Sequence, residues 1–389
     1  MIAPGAWLGL LGGGQLGRMF TMAAQSTGYQ VVVLDPGRHS PAGSVADRHL
    51  RADYLDPAAL AELGRLCAAV TTEFENVPAE ALNYLARDCI VSPAAGSVAV
   101  AQDRIREKRF LAANRLGTAP FAVIETRDDL VADLDSRLLP GILKRSRFGY
   151  DGKGQVRVTT REEALDAFIA MGDEPCVLEQ MLALDFELSA VVVRGFDGAV
   201  ATFPLAENVH AHGILDRSIV PARVSPALAA QARDAAITVA EALDYRGVLC
   251  VEFFVVEANR LLANEIAPRP HNSGHYSIDA CFTSQFEQQV RVMAKLPLGD
   301  AALHCPAVMV NILGDAWHAG EPNWQALLAH PRVKLHLYGK REPHPGRKMG
   351  HYTVLGEDLE QNLKLALELQ RALHEAATPM QGEPVLGAA

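Results

Sequence analysis

The stretch GVLCVEFFVVEANRLLANEI, residues 247–266, reads as a β-hairpin whose outgoing arm is almost wholly apolar. Each arm carries one interior acid, Glu252 on the way out and Glu265 on the return. A turn of two or four residues centred between Ala258 and Asn259 sets these two opposite each other on one face of the ladder. Their Cβ atoms then lie about 4.5–5.5 Å apart. Two like charges about 5 Å apart repel by roughly 3 kcal/mol at an effective dielectric near 20. Such a pair persists if one acid is protonated, if Glu252 finds an arginine, or if a divalent cation sits between the two. The apolar setting favours the cation, and oxygen ligands beside a polyphosphate suit Mg²⁺.

Directly beyond lies APRPHNSGH, residues 267–275. His271 and His275 have i, i+4 spacing, but Pro270 and Gly274 argue against a zinc-binding helix. A proline-stiffened loop presenting Arg269, His271 and Asn272 beside a metal carboxylate suits an anion, which arginine grips with two parallel hydrogen bonds. Upstream, Lys144 ends an apolar strand and is followed by GYDGKGQ, residues 149–155, with three glycines in seven positions. Glycine lets main-chain N–H groups close on phosphates, and a nearby lysine adds a point charge. An exposed hairpin with surface lysines reads the same way. Glu179-Gln180-Met181-Leu182 ends the next strand and Glu187 opens another. That junction offers main-chain and amide groups to an adenine edge and a carboxylate to ribose, or is simply an acidic loop. Residues 340–348, KREPHPGRK, gather four positive charges and two prolines, either a solvated loop or a phosphate pocket.

At the N-terminus a short apolar strand, residues 7–11, runs into GGGQLG, residues 12–17, and a helical spacing follows up to Gly28. The next strand ends at Asp35. This is G-x-G-x-x-G between strand and helix with an acid behind it, which points to a dinucleotide and an NAD-dependent oxidoreductase. Two other readings give the same string: glycine where the first helix crosses its strand, and a helix N-terminus holding another phosphate or polar ligand. No hydride-transfer site is evident downstream.

Strand and helix alternate to about residue 100, which predicts a parallel sheet covered on both faces. From Phe121 the pattern changes to strands broken by glycine loops, at 141–144, 155–158, 176–179, 188–194 and 199–205, an antiparallel α+β segment. A long alanine-rich helix at 226–243, the hairpin, a helix at 284–295, a strand at 307–313 and a helix at 359–376 complete the chain. In 389 residues, 36 Lys and Arg face 46 Asp and Glu, a net charge of −10. That balance speaks against a nucleic-acid partner, though a local basic pocket can sit on an acidic body. The six cysteines show no C-x-x-C, and no stretch approaches the ~18–20 apolar residues of a membrane span. A cytoplasmic protein without membrane or nucleic-acid partners is expected.

Lys144, the glycine loop, the acidic hinge and the paired acids come in an order that resembles the ATP-grasp superfamily. Four strings narrow the resemblance: GGGQLGRM at 12–19, TEFENV at 72–77, GYDGKGQ at 149–155 and NEIAPRPHNSGH at 264–275. Together they are similar to the 5-(carboxyamino)imidazole ribonucleotide synthetases of purine biosynthesis. The resemblance implies an ATP-grasp fold at 103–300, with a small lid over about 120–205. A Rossmann-like domain at 1–102 precedes it, and a C-terminal domain at 301–389 completes the ribonucleotide site. It implies that bicarbonate and ATP, with Mg²⁺, carboxylate 5-aminoimidazole ribonucleotide through carboxyphosphate in a homodimeric enzyme.

Carried residue by residue, Arg104, Lys144 and His210 contact ATP, and Gly149, Tyr150, Asp151, Gly152, Lys153, Gly154 and Gln155 close over its phosphates. Glu179, Gln180, Met181 and Leu182 hold adenine, Glu187 the ribose, and Glu252 and Glu265 the Mg²⁺, with Asn264 alongside. Arg269, His271 and Asn272 act on bicarbonate or carboxyphosphate, with Lys340 among the catalytic residues. Gln15, Leu16, Glu73, Asn76 and Asp151 face the ribonucleotide, whose 5′-phosphate falls to Lys340 and Arg347. On this reading the glycine turn at 12–17 serves the ribonucleotide and not NAD.

Overall fold

The first apolar runs pair without interruption. In the computed structural model, which describes residues 1–131, 134–147, 149 and 154–375, they are β1 (Trp7–Leu11), β2 (Gln30–Leu34), β3 (Arg48–Leu50), β4 (Ala69–Thr72) and β5 (Ile90–Val91). All pairings are parallel, in the order β3-β2-β1-β4-β5. Burial on both faces explains why β1, β2 and β4 read as continuous apolar stretches. One face packs on the helices Pro57–Leu66 and Ala79–Leu85. The other takes the helix Gln15–Ser26 and, from far along the chain, Phe286, Val290 and Met293 of the helix Gln285–Met293. Gln289 on that distant helix stitches the join: its Nε2 donates to Thr71 Oγ1 at 3.1 Å, and its Oε1 accepts from Val248 N–H at 2.8 Å. Strand order reverses at β1, so the crevice beyond the carboxyl ends of β1 and β4 is where such a sheet receives a ligand.

A small antiparallel sheet follows, β6 (Phe121–Ile124), β7 (Gly141–Arg145), β8 (Gln155–Val158) and β9 (Cys176–Gln180), in the order β6-β9-β7-β8. It ends at Gln180, short of the expected lid boundary near 205. Phe186 onward turns back into a larger sheet, because residues 188–193, apolar but for Ser189, are buried there against β14. The large sheet holds β10 (Phe186–Arg194), β11 (Val200–Thr202), β12 (Ala206–Ala211), β13 (Ile214–Val220), β14 (Gly247–Val256), β15 (Arg260–Ala267), β16 (Ala307–Leu313), β17 (Val333–Leu337) and β18 (Lys348–Leu355). Its order is β15-β14-β10-β12-β13-β16-β18-β17, with β11 beside β10. The strand expected at 199–205 is only β11, which stops short of Pro204; β12 begins beyond it and moves over to pair with the start of β10. The C-terminal strands continue this sheet through the β13–β16 pairing and do not form a sheet of their own.

The helix Pro226–Ala242 covers the large sheet; its alanines allow close approach to Leu188, Val192, Leu249 and Val251. Ser225 caps it by accepting from Leu228 N–H. A shorter helix, Arg104–Ala113, runs between the two antiparallel sheets. Asp103 caps it, accepting from Ile105 N–H at 3.0 Å and from Ser146 Oγ at 2.7 Å, which ties the helix start to the end of β7. Among the described residues no helix is long and apolar enough to cross a membrane.

Candidate active site

A cleft of about 600 Å³ opens between the small sheet, the β14–β15 hairpin and the crevice of the parallel sheet. The hairpin builds its floor. Val256 pairs with Arg260, so the turn is three residues, 257–259, with Glu257 and Ala258 left-handed at φ 51° and 66°. A turn of that length, carried regularly down the ladder, sets Asn264 opposite Glu252. A β-bulge at Asn264 moves the register by one, so that Phe253 pairs with Ala263 and Glu252 with Glu265. The expected pairing is present, but the turn expected to produce it is not.

Each of the two acids meets a cation. Glu252 Oε1 lies 3.0 Å from His271 Nε2, and Glu265 Oε2 lies 3.2 Å from Arg104 Nη1. Burial works against a charge on Glu252, yet His271, then His210 and Lys348, hold its pKa down at about 2. Burial also opposes a charge on His271, but Cys250 and then Glu252 bring its pKa up to about 10, so the pair is ionised at neutral pH. The imidazole is held from behind: His271 Nδ1 lies 2.8 Å from Ser273 Oγ, which accepts from Ser189 Oγ at 2.6 Å. Asn208 and Ser218 extend that buried chain across β12 and β13. Asn264 Oδ1 is buried with no hydrogen-bond partner beside the two carboxylates. An all-oxygen set with an orphaned acceptor fits a hard divalent cation. Glu187, His210 and Glu252 also bring ligand atoms within 4.8 Å of one another, with His210 Nδ1 3.1 Å from Glu187 Oε2.

The anion loop is only partly free. Arg269 Nε donates to Glu75 Oε2 at 2.7 Å, while its side chain still lines the cleft. Asn272, expected on the anion, is closed in a reciprocal amide pair with Asn311 of β16, at 3.0 and 2.7 Å. That pair anchors the loop to the sheet and takes one donor and one acceptor from Asn272.

At the opposite end Gln15, Leu16, Glu73 and Asn76 come to the cleft wall as expected. Glu73 accepts from Gly14 N–H and, at 2.7 Å, from Gly17 N–H. The protein's own carboxylate thus fills the place where a dinucleotide's pyrophosphate would sit. A Cβ at Gly14 would lie 2.5 Å from Glu73 Oε1, and one at Gly12, whose φ is +104°, 2.4 Å from Glu73 Cγ. Asp35 takes the Tyr54 hydroxyl at 2.9 Å. The glycine motif is explained by these contacts, and the dinucleotide reading loses both its phosphate seat and its ribose acid.

Toward the small sheet, Arg104, Lys144, Gly149, Gln155, Glu187 and His210 line the cleft, and Gly154 precedes Gln155 at φ 72°. Tyr150, Asp151, Gly152 and Lys153 lie outside the described residues. Glu179, expected on adenine, is buried 3.0 Å from Lys144 Nζ and 3.4 Å from Lys108 Nζ. Gln180 and Met181 direct their N–H groups to Pro120 and Pro140 carbonyls, at 2.8 and 2.9 Å. Leu182 is half-buried on the same connection, two residues before Leu184 reaches the cleft.

In the basic run, Lys340 Nζ donates to Lys348 O and Arg347 Nη1 to Glu342 O, both at 2.7 Å; neither is among the described residues that line the cleft. Lys348 lines it instead, because it opens β18 and follows that strand's alternation. Lys348, Glu75, Glu107 and Lys108 were missed. Glu75 stands inside the TEFENV string beside Glu73 and Asn76, a signal that was available.

A family model described as an ATP-grasp domain matches residues 109–286. Others, described as a ribonucleotide synthetase preATP-grasp domain and a phosphoribosylaminoimidazole carboxylase C-terminal domain, match residues 6–102 and 307–364. The N5-carboxyaminoimidazole ribonucleotide synthase of Brucella melitensis biotype 1 is 46% identical over 354 residues, 90% of this chain and 97% of that protein. The enzyme of the same name from Bacillus subtilis strain 168 is 41% identical over 355 residues, 91% of this chain and 93% of its own. A crystal structure of N5-carboxyaminoimidazole synthase from Aspergillus clavatus, in complex with ADP and 5-aminoimidazole ribonucleotide, matches with a TM-score of 0.87 at 30% identity, over 95% of this chain and 98% of that one.

Proposed function

The chain belongs to the N5-carboxyaminoimidazole ribonucleotide synthases of the ATP-grasp superfamily, and we propose that its cleft carries out their reaction. ATP drives the carboxylation of 5-aminoimidazole ribonucleotide by bicarbonate, with release of ADP and phosphate. The observation that carries the reading is the Glu252–Glu265 pair, abreast across the ladder and facing one cleft with Arg269 and His271.

In this reading ATP lies between the small sheet and the hairpin. Arg104, Lys144, Gly149 and Gln155 meet its phosphates, joined by Tyr150, Asp151, Gly152, Lys153 and Gly154 of the same loop. Glu187 and His210 take the ribose side, and the main chain at 181–182 reads adenine. Glu252, Glu265 and Asn264 hold Mg²⁺, which when bound offsets charge on the transferring phosphoryl group. Bicarbonate attacks the γ-phosphate to give carboxyphosphate, whose breakdown supplies CO₂ to the amine. Arg269 and the protonated His271 orient that anion, and Asn272 fixes their loop. Gln15, Leu16, Glu73 and Asn76 face the ribonucleotide, and Lys348, with Lys340 and Arg347 behind it, answers its 5′-phosphate. Residues 1–102, 103–300 and 301–389 then serve ribonucleotide, ATP and 5′-phosphate in turn.

A cytoplasmic location accords with six free thiols. A homodimer accords with the outer edge of β17, the end strand of its sheet, where Leu337 and Met22 flank an apolar groove. Coupled ADP release tests the function: turnover should require Mg²⁺, bicarbonate and 5-aminoimidazole ribonucleotide together. Turnover with glycine or formate in place of bicarbonate would assign the chain to a different ligase of the superfamily.

A further inference from the structure

The helix Arg104–Ala113 grips β15 with three side chains from one face. Arg104, Glu107 and Lys108 stand at i, i+3 and i+4. Arg104 reaches the Glu265 carboxylate; Lys108 Nζ donates to Asn264 O at 3.0 Å; Ile266 N–H donates to Glu107 Oε1 at 2.6 Å. Lys108 and Glu107 are 0% and 2% exposed. Burying an ammonium and a carboxyl group is expensive and seldom justified by stability alone.

The bulge explains what they do. β15 is the last strand of its sheet, so its outward main-chain groups have no further strand to meet. Ala263 N–H points outward to Gly117 O at 2.7 Å, and the next outward amide held from outside is Ile266. They stand three positions apart, where the outward amides of a regular strand are an even number of positions apart, which is the change of parity a bulge produces. Lys108 and Glu107 take the carbonyl and the amide on either side of that change. Without it the three-residue turn would leave Asn264 opposite Glu252, and a one-residue slip reverses the faces of the side chains beyond it.

We propose that Glu107 and Lys108 are positioning residues that lock the bulge and thereby set Glu265 abreast of Glu252 for the metal. Lys108 extends the lock, since Glu179 takes it with one oxygen and Lys144 with the other. The proposal rests on the reading of Glu265 as a metal ligand, and the test separates the two. Calorimetry gives ADP dissociation constants with and without Mg²⁺ for the full-length parent, Glu265→Gln, Glu107→Met, Glu107→Gln and Lys108→Met. Glu107→Met removes the acceptor at similar size, and should lower the Mg²⁺-dependent gain in ADP affinity about tenfold, the usual scale for partners of metal ligands. Its metal-free ADP affinity should stay near the parent's. Glu107→Gln keeps an acceptor for Ile266 N–H and should restore the gain to within about threefold of the parent. Lys108→Met should behave as Glu107→Met and stands in for it if that variant does not fold. A parent-like gain in a folded Glu107→Met or Lys108→Met overturns the proposal, as does a Glu107→Gln no better than Glu107→Met. If Glu265→Gln itself keeps the gain, the metal reading falls first.

Discussion

Glu73 and Glu265 stand at opposite ends of one cleft, and each accepts from the start of a helix. The donors differ. Glu73 is bound by the main-chain N–H groups of Gly14 and Gly17, which cannot leave without unwinding the first turn. Glu265 is bound by the guanidinium of Arg104, a side chain free to turn to another anion. Two carboxylates lining one cleft therefore have different availability. One builds a turn; the other can be handed to a metal while its arginine takes a phosphate. The same contrast explains why a glycine string with a dinucleotide pattern sits in a protein without a dinucleotide seat. The phosphate's position at the helix start already holds an internal anion.

Substitution should expose that difference as a split between turnover and stability. Glu265→Gln should lower kcat/KM on the order of a thousandfold, about 4 kcal/mol in the barrier, through lost Mg²⁺-dependent phosphoryl transfer. Its unfolding midpoint should stay close to the parent's, because Arg104 remains near other carboxylates, Glu107 and Glu179. Near-parent turnover would remove the metal assignment and leave the two acids alike. Glu73→Ala should show the reverse balance. It strands two N–H groups and should cost about 1–3 kcal/mol of stability in urea unfolding. Turnover at saturating ribonucleotide should fall less than in Glu265→Gln. An unchanged urea midpoint would mean that the turn does not need its carboxylate.

How much of this was legible follows from burial. The parallel sheet and the hairpin were readable because β1, β2 and β14 are apolar along nearly their whole length. Strands β12, β13 and β18 were not, because AENVHA, ILDRSIV and KMGHYTVL mix polar residues into both faces. Buried Asn208, Ser218, His351 and Thr353 interrupt the alternation that marks a strand, and Asn208 and Ser218 bond each other from adjacent strands. In the site, Glu252, Glu265, Lys144 and His271 were legible as members of strings. Glu107 and Lys108 were hidden in RIREKRF, a run that reads as a solvated helix face. Their partners, Ile266 and Asn264, lie more than 150 residues away in sequence, beyond the reach of local spacing.

Titration separates the two ends by sign, and gives the smallest of the expected effects. At Glu73 burial is the leading influence and raises the pKa, although Gly17 and Gly14 pull it down through their N–H groups. The native protein then keeps a proton that the unfolded chain releases near pH ~4.3. Stability from this group is full below about pH 4.3 and is lost as pH rises toward the native pKa, by at most about 1.4 kcal/mol per unit. At Glu252 burial again leads, but His271 overcomes it and the pKa lies at about 2. Here the unfolded chain binds the proton first, so stability is present above about pH 4.3 and is lost as pH falls from there. Urea unfolding of Glu73→Gln and Glu252→Gln beside the parent, from about pH 3 to 6, reads both slopes. Glu252→Gln should flatten the parent's rise in stability below about pH 4.3, and Glu73→Gln should make stability fall less steeply above it. Effects of the same sign would mean that main-chain and side-chain donors hold these carboxylates in the same way, and the distinction between a structural acid and a transferable one would fail.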